Sequence, residues 1–323
     1  MKGARTKILL GLGLLLVALA GVWGLEKYQD WTAMIGGPDE WCLEITPSQA
    51  LEQPFACEWA EVNDIIAWRS WSHYPGRYCF DGPAPANQVA RRIATAERDE
   101  IALTIPSKRT IAEALQSIAP KIYADSASLA AAFDDPEFGW KIIPNTYQVY
   151  WEVDAEELKK RLEKEAEKWW NRERLEKVWA LGLTQREAVI LASIVQEETA
   201  RKDEAADVAG LYLNRLKKGM LLQADPTLKF ALGDWTIQRL LDEDKKVSSP
   251  YNTYQNPGLP PGPIRIPEPW YIDAVLDATP HPYLYMCARP DASGKHAFAR
   301  TYREHLKNAR AYHEMLNRER IYR

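Results

Sequence analysis

From Ala188 to Val195 the chain is almost wholly apolar, and Thr184 with Glu187 three residues later supplies a capping-box start just ahead of that run. The pattern predicts a helix. At about 100° per residue, Leu191, Ile194, Val195 and Glu198 fall on one face, whereas Gln196 points nearly opposite and Glu197 lies to one side. Glu198 is therefore the only carboxylate on a stripe that otherwise reads as buried. An unpaired carboxylate taken out of water costs several kcal/mol, and the group responds by raising its pKa and keeping its proton. A protonated glutamic acid is a general acid. The competing reading is a solvated or ion-paired residue near a helix end, with Arg201, Lys202 and Arg215 as the available bases.

The same patterning organises the rest of the chain. Lys2, Arg5 and Lys7 precede an uncharged apolar run from Ile8 to Leu25, near the lower limit of about 17 to 25 residues for a membrane span. A retained single-pass anchor with the body outside the cytoplasm is predicted; a cleaved signal peptide ending near Ala18-Leu19-Ala20 is the rival. A polar tether follows to about Asp39. Trp41 to about Pro106 alternates strand-like runs, RYCF among them, with a helix near Ala86 to Thr95, which reads as a small α+β module. Ser107 to Thr110 opens a helical pattern through Ile118, and Trp140 to Trp151 reads as an aromatic strand broken at Pro144. Asp154 to Trp179 reads as one charged, solvated helix docked by Trp169, Trp170 and Trp179. A further helix is predicted from Asp203 to Met220, and YLYMCA from Tyr283 as a strand.

Between that helix and that strand lie three loop-like runs, Gln223-Ala224-Asp225-Pro226-Thr227, Ser249-Pro250-Tyr251-Asn252-Thr253-Tyr254 and Gly258 to Ile264. Amide and hydroxyl side chains offer donors and acceptors together, and aromatic rings offer apolar faces, which matches the hydroxyls and C–H faces of a sugar. Taken singly, each loop is equally a rigid connection fixed by its prolines and glycines.

Composition narrows the class. With 323 residues, 46% hydrophobic and 27% charged, the chain buries a real core in an estimated two modules, and disorder is excluded. A net charge of -4 without an arginine-rich stretch argues against a nucleic-acid partner. Of four cysteines, Cys42 and Cys57 are expected to form a bridge contributing about 3 kcal/mol, with Cys79 and Cys287 as buried small hydrophobes. No CxxC and no clustered His and Cys are present, so neither metal nor cofactor is expected. Among the 13 tryptophans, Trp68 and Trp71, together with Tyr74, sit in a strand-like stretch as candidates to face sugar.

At these residues a resemblance becomes specific. SIVQEET from Ser193, LQADPT from Leu222, SPYNTY from Ser249, GLPPGPI from Gly258 and YLYMCA from Tyr283 resemble, in order, the endolytic murein transglycosylases of the YceG-like family. The match extends to His296-Ala297-Phe298 and Glu304-His305, and back to Ile143 to Tyr147 and Gly76 to Phe80. Where the family often has Glu-Lys-Glu-Thr, this chain has Gln196-Glu197-Glu198-Thr199; Asn145, Ala299 and Glu268 replace an Asp, a Ser and a Gly. The resemblance implies an α+β protein in five parts: a cytoplasmic tail (1–7), a transmembrane anchor (8–25), a tether (26–40), a LysM-like subdomain (41–106) and a catalytic domain (107–323). It implies an inner-membrane enzyme, a lyase that cuts peptidoglycan glycan strands on the extracytoplasmic side, and glycan-polymerising penicillin-binding proteins as partners. The family's catalytic acid maps onto Glu198. Gln223, Asp225, Asn252, Thr253, Tyr254 and His296 are expected in the glycan groove. Two alternatives stand beside it: a muramidase using a second carboxylate, with Asp225 or Glu304 as candidates, and a non-catalytic glycan-binding scaffold.

Overall fold

Helices and small two-stranded sheets together make a mixed α+β protein. The computed structural model describes residues 19–52, 59–135, 137–237, 240–291 and 293–318. The chain divides into two units, residues 1–103, 121–124 and 147–154 forming the first and residues 104–120, 125–146 and 155–323 the second.

Helix α1 covers residues 19–32 of the first unit, so the first seven residues of the segment expected as a tether, 26–32, are helical. Most of the expected membrane span lies outside the described residues; its remainder is helical and carries Leu19, Val22, Trp23 and Leu25 exposed. Among the described residues no single helix is long and apolar enough to cross a membrane. There follow β1 (Met34–Ile35), β2 (Trp41–Ile45), α2 (Ala60–Arg69), β3 (Gly76–Phe80), β4 (Ala84–Pro85), α3 (Ala86–Ala94) and β5 (Glu100–Ile105). Helix α3 buries Ala86, Val89, Ala90 and Ile93, the spacing of one helical face, against Leu43, Ile45, Tyr78 and Phe80 from the β2–β3 ribbon. Trp68 stands on α2 rather than in a strand, and Trp71 packs against this core.

Strands β2 and β3 are antiparallel with Cys42 opposite Cys79, and these two cysteines are disulfide-bonded. The expected Cys42–Cys57 pairing and the free, buried Cys79 are thereby corrected. Strand register, a long-range property, sets which sulfurs meet; nearness in sequence does not. Cys57 lies outside the described residues, and Cys287 is free and half-buried. A bridge across 37 residues contributes about 3 to 4 kcal/mol. Non-reducing peptide mapping is expected to recover Cys42 joined to Cys79; a Cys42–Cys57 peptide would contradict the register.

Next along the chain come α4 (Ile111–Ile118), α5 (Ser126–Ala132) and β6 (Asn145–Tyr150), which pairs with β5, and then, all in the second unit, α6 (Ala155–Trp169), α7 (Arg172–Ala180), α8 (Gln185–Glu198), α9 (Lys202–Lys217), α10 (Asp225–Leu232), α11 (Pro269–Leu276), β7 (Tyr285–Ala288), β8 (His296–Ala299) and α12 (Tyr302–Arg318). The division of the chain falls within both β5 and β6. The single charged helix expected from Asp154 to Trp179 is two helices. The break comes where Trp170 turns into the core and Asn171 restarts the ladder, its side-chain oxygen accepting from Arg174 N–H at 3.0 Å. Trp169 packs on the same core, whereas Trp179 is 66% exposed and is not part of it.

Helix α8 starts as its sequence dictates. Thr184 Oγ1 accepts from Glu187 N–H, and Glu187 Oε2 accepts from Thr184 N–H at 2.7 Å, which closes a capping box. Every residue from Ala188 to Val195 is buried, and α8, α9 and α11 share one core. Gly210 lets α9 approach the chain after α11: a Cβ there would lie 2.5 Å from the Thr279 carbonyl oxygen. Ser193 Oγ, buried on α8, accepts from Ile264 N–H at 3.0 Å and so fixes the Gly258 to Ile264 loop to the helix that carries Glu198.

Candidate active site

Helix α8 ends in two consecutive carboxylates with different surroundings. Glu197 Oε1 accepts from Arg265 Nη1 at 2.5 Å, and Arg109 Nη2 lies 3.9 Å from its other oxygen. Arg265 also donates to Ser107 Oγ at 2.9 Å, so Glu197 belongs to a brace between α8 and the strands of chain beside it. Glu198 has no ion pair among the described residues. Of the three bases that could have paired with it, Arg201 pairs with Asp203, Lys202 lies over the Trp270 ring, and Arg215 faces backbone.

What Glu198 does meet is a phenol. Tyr212, buried on α9, donates its hydroxyl to Glu198 Oε1 at 2.6 Å. Glu198 is packed deep among protein atoms while part of its surface stays accessible. Burial pushes its carboxyl up to about 7; the Tyr212 hydrogen bond and the Arg215 and Lys229 charges pull it down, and the Asp225 charge pushes it up. The Tyr212 hydroxyl is itself raised well above the ordinary tyrosine value, by burial first and then by the Glu198 charge, so it stays a donor. Arg215 is a buried cation with carbonyl partners: Nε donates to Leu284 O at 2.7 Å and Nη1 to Leu222 O at 2.6 Å. It thereby ties α9 to the run leading into Gln223.

That run is shaped by the Ser249 to Tyr254 loop. Gln223 is exposed and holds a left-handed backbone, φ +48°, a conformation that costs a non-glycine residue about 1 kcal/mol or more. Its N–H donates to Thr253 O at 3.1 Å and the next N–H, of Ala224, to Thr253 Oγ1 at 3.0 Å. Asp225 is exposed and opens α10, with Pro226 in its first turn, where a continuous loop was expected. Tyr254 donates to Asp225 Oδ1 at 2.5 Å; burial, then the Asp225 charge, raises its hydroxyl far above the tyrosine value. Asn252 and Thr253 are buried with their polar side-chain atoms occupied: Asn252 Nδ2 donates to Lys245 O and Val247 O, its Oδ1 accepts from Tyr254 N–H, and Thr253 Oγ1 accepts from Ala224 N–H and hydrogen-bonds Thr227 Oγ1 at 2.8 Å.

The remaining expected residues lie elsewhere. His296, on β8, pairs with Glu204 at the start of α9, Nδ1 to Oε2 at 3.3 Å, and makes no hydrogen bond to the Glu198 group among the described residues. Glu304 accepts from Arg300 N–H and Thr301 N–H at the start of α12, and those backbone bonds hold its carboxyl below the usual range. Of the two candidate second carboxylates, only Asp225 acts on Glu198. Tyr212 escaped the sequence reading, although a signal was present. It follows Ala205, Val208 and Ala209 on one apolar face of α9, and a tyrosine there needs a partner for its hydroxyl.

The motif that carries Glu198 lies inside a longer match: the model of the YceG-like family matches residues 50–311. The chain belongs to the YceG-like family. Within this family setting, an endolytic murein transglycosylase of Bacillus subtilis (strain 168) is 39% identical over 122 residues, 38% of this chain and 33% of that protein. An endolytic murein transglycosylase of Streptococcus pneumoniae serotype 2 (strain D39) is 33% identical over 131 residues, 39% of this chain and 24% of that protein. The matched segment thus spans a third or less of either relative. The crystal structure of a yceG-like protein of Listeria monocytogenes superposes with a TM-score of 0.56 at 23% identity, covering 83% of this chain and 98% of that one. The two share a fold.

Proposed function

We propose that this YceG-like chain is an endolytic lytic transglycosylase, a lyase that cleaves the MurNAc–GlcNAc β-1,4 bond within peptidoglycan strands and leaves 1,6-anhydro-MurNAc ends. The observation that carries the reading is Glu198: a buried carboxyl at a helix end, without an ion pair among the described residues, held by a phenol and raised to about 7. In the first step the neutral carboxyl gives its proton to the glycosidic oxygen as the C1–O4 bond breaks, and the bonding pair leaves with that oxygen. In the second, the sugar's own 6-hydroxyl oxygen forms a bond to C1 while Glu198, now a carboxylate, takes its proton. The acid is regenerated and no water is consumed. Both steps suit a group near half-protonation at neutral pH.

Gln223, Asp225 and Tyr254 border the groove as glycan contacts, and Asn252 and Thr253 act by holding the loop that presents them. His296 is assigned to the same glycan surface. Residues 8–25 serve as the membrane anchor and 41–106 as a LysM-like subdomain ahead of a catalytic domain at 107–323. That places the site outside the inner membrane, within reach of new strands. Cleavage there, beside glycan-polymerising penicillin-binding proteins, terminates strand elongation.

The reading is tested by the length distribution of purified glycan strands after exposure to the full chain, its Glu198→Gln variant and its Glu197→Gln variant. Strand shortening from internal cuts is expected for the parent chain and for Glu197→Gln, and none for Glu198→Gln. Binding without shortening by the parent chain would leave only a glycan-binding role.

A further inference from the structure

The two oxygens of Glu198 are not equivalent. Oε1 is held by Tyr212 at 2.6 Å. Oε2 has no protein hydrogen-bond partner among the described residues and is not among the buried polar atoms left without one, so it keeps accessible surface. Tyr212 is itself 2% exposed and its ring is part of the core shared by α8, α9 and α11, so the phenol cannot swing away without disturbing that core. From these placements we infer that Tyr212 is the positioning residue that divides the work of the Glu198 carboxyl, confining proton transfer to Oε2.

The inference rests on the proposed role of Glu198. In the neutral acid the hydrogen bond from Tyr212 goes to the carbonyl oxygen, Oε1, which leaves the hydroxyl on Oε2, pointed at the leaving oxygen. In the carboxylate the same bond persists, so Oε2 is again the free oxygen and receives the 6-hydroxyl proton. One oxygen therefore gives and takes, and the carboxyl does not have to rotate between the two steps. The groups around Glu198 are Tyr212 and Arg215 on α9, Asp225 and Lys229 on α10, and Tyr254 beside Asp225. Glu197, its neighbour on α8, is turned to Arg265, and on α11 Tyr271 donates to the Thr199 carbonyl. Among the described residues only Tyr212 touches the carboxyl by hydrogen bond, so its removal is separable from a change in surrounding charge.

The test is a carboxyl carbon-13 NMR titration of the full chain, with Glu198 assigned by the signal missing from Glu198→Gln, run beside the pH profile of strand cleavage. Losing a hydrogen bond that favours the charged form raises the midpoint. Tyr212→Phe is expected to move it upward by about one pH unit and to lower kcat roughly ten- to hundredfold with KM little changed. Placing 3-fluorotyrosine at 212, a stronger donor of the same shape, is expected to move the midpoint down, and it decides the matter if the phenylalanine variant does not fold. A midpoint unmoved by either change overturns the inference. A fully active Glu198→Gln variant would instead overturn the functional reading, because the titration does not depend on turnover.

Discussion

Two neighbouring residues at the end of α8 share a chemistry and differ in everything around it. On one side Glu197 faces Arg265 and Arg109, and Arg265 in turn donates to Ser107, a brace of charge and hydroxyl. On the other, Glu198 faces a core phenol and a second carboxylate, and burial raises it to about 7. A paired carboxylate holds structure; an unpaired one stores a proton. In an acidic pair, the residue to suspect is the one whose neighbours fail to compensate it.

The widest gap should appear in turnover. Glu198→Gln is expected to lose about 10² to 10⁴ in kcat while keeping its fold, whereas Glu197→Gln stays within about threefold. Comparable rates for the two variants would erase the distinction. A second gap should appear in stability. Because the Glu198 carboxyl binds its proton more tightly folded than unfolded, the contribution of this one group to stability is greatest below about pH 4.5 and falls, by about 3 kcal/mol, as pH rises to about 7. Glu198→Gln should therefore be more stable than the parent chain near pH 8, an advantage that disappears near pH 4, as read by denaturant unfolding. Parallel pH dependences would show that burial does not load this carboxyl.

A smaller effect sharpens the Glu198 side. Arg215→Met leaves the Leu222 and Leu284 carbonyls without their donor and is expected to cost about 2 to 3 kcal/mol in unfolding free energy. No loss would mean that the run before Gln223 is held by other contacts. The smallest effect concerns the brace: Glu197→Gln should cost about 1 kcal/mol, its ion pair with Arg265 being partly solvated. A loss as large as that of Arg215→Met would make the brace a folding element in its own right.

How much of this was legible in the sequence depended on range. The capping box of α8, its buried run and the face carrying Glu198 were readable because each is set by residues within a turn or two. Helix α3 and strand β3 were readable for the same reason. The α6–α7 break was missed because charges at helical spacing run through it, although Asn171 is itself a start signal. Pro226 in the first turn of α10 was a start signal read as a loop. The Cys42–Cys79 bridge and the Tyr212–Glu198 contact depend on strand register and helix packing, which no local pattern encodes. Arg215 was readable as a base but not as a partner of carbonyls, since its alternatives differ only in the packing of α9.

The central claim is that one carboxyl, Glu198, performs both proton transfers without a second carboxylate or a water. It is tested most directly by the mass of the new ends released when the full chain acts on glycan strands. Ends one water lighter than ordinary reducing ends, absent with Glu198→Gln, are the predicted result. Ordinary reducing ends would contradict it and make Asp225 the second carboxylate of a hydrolase.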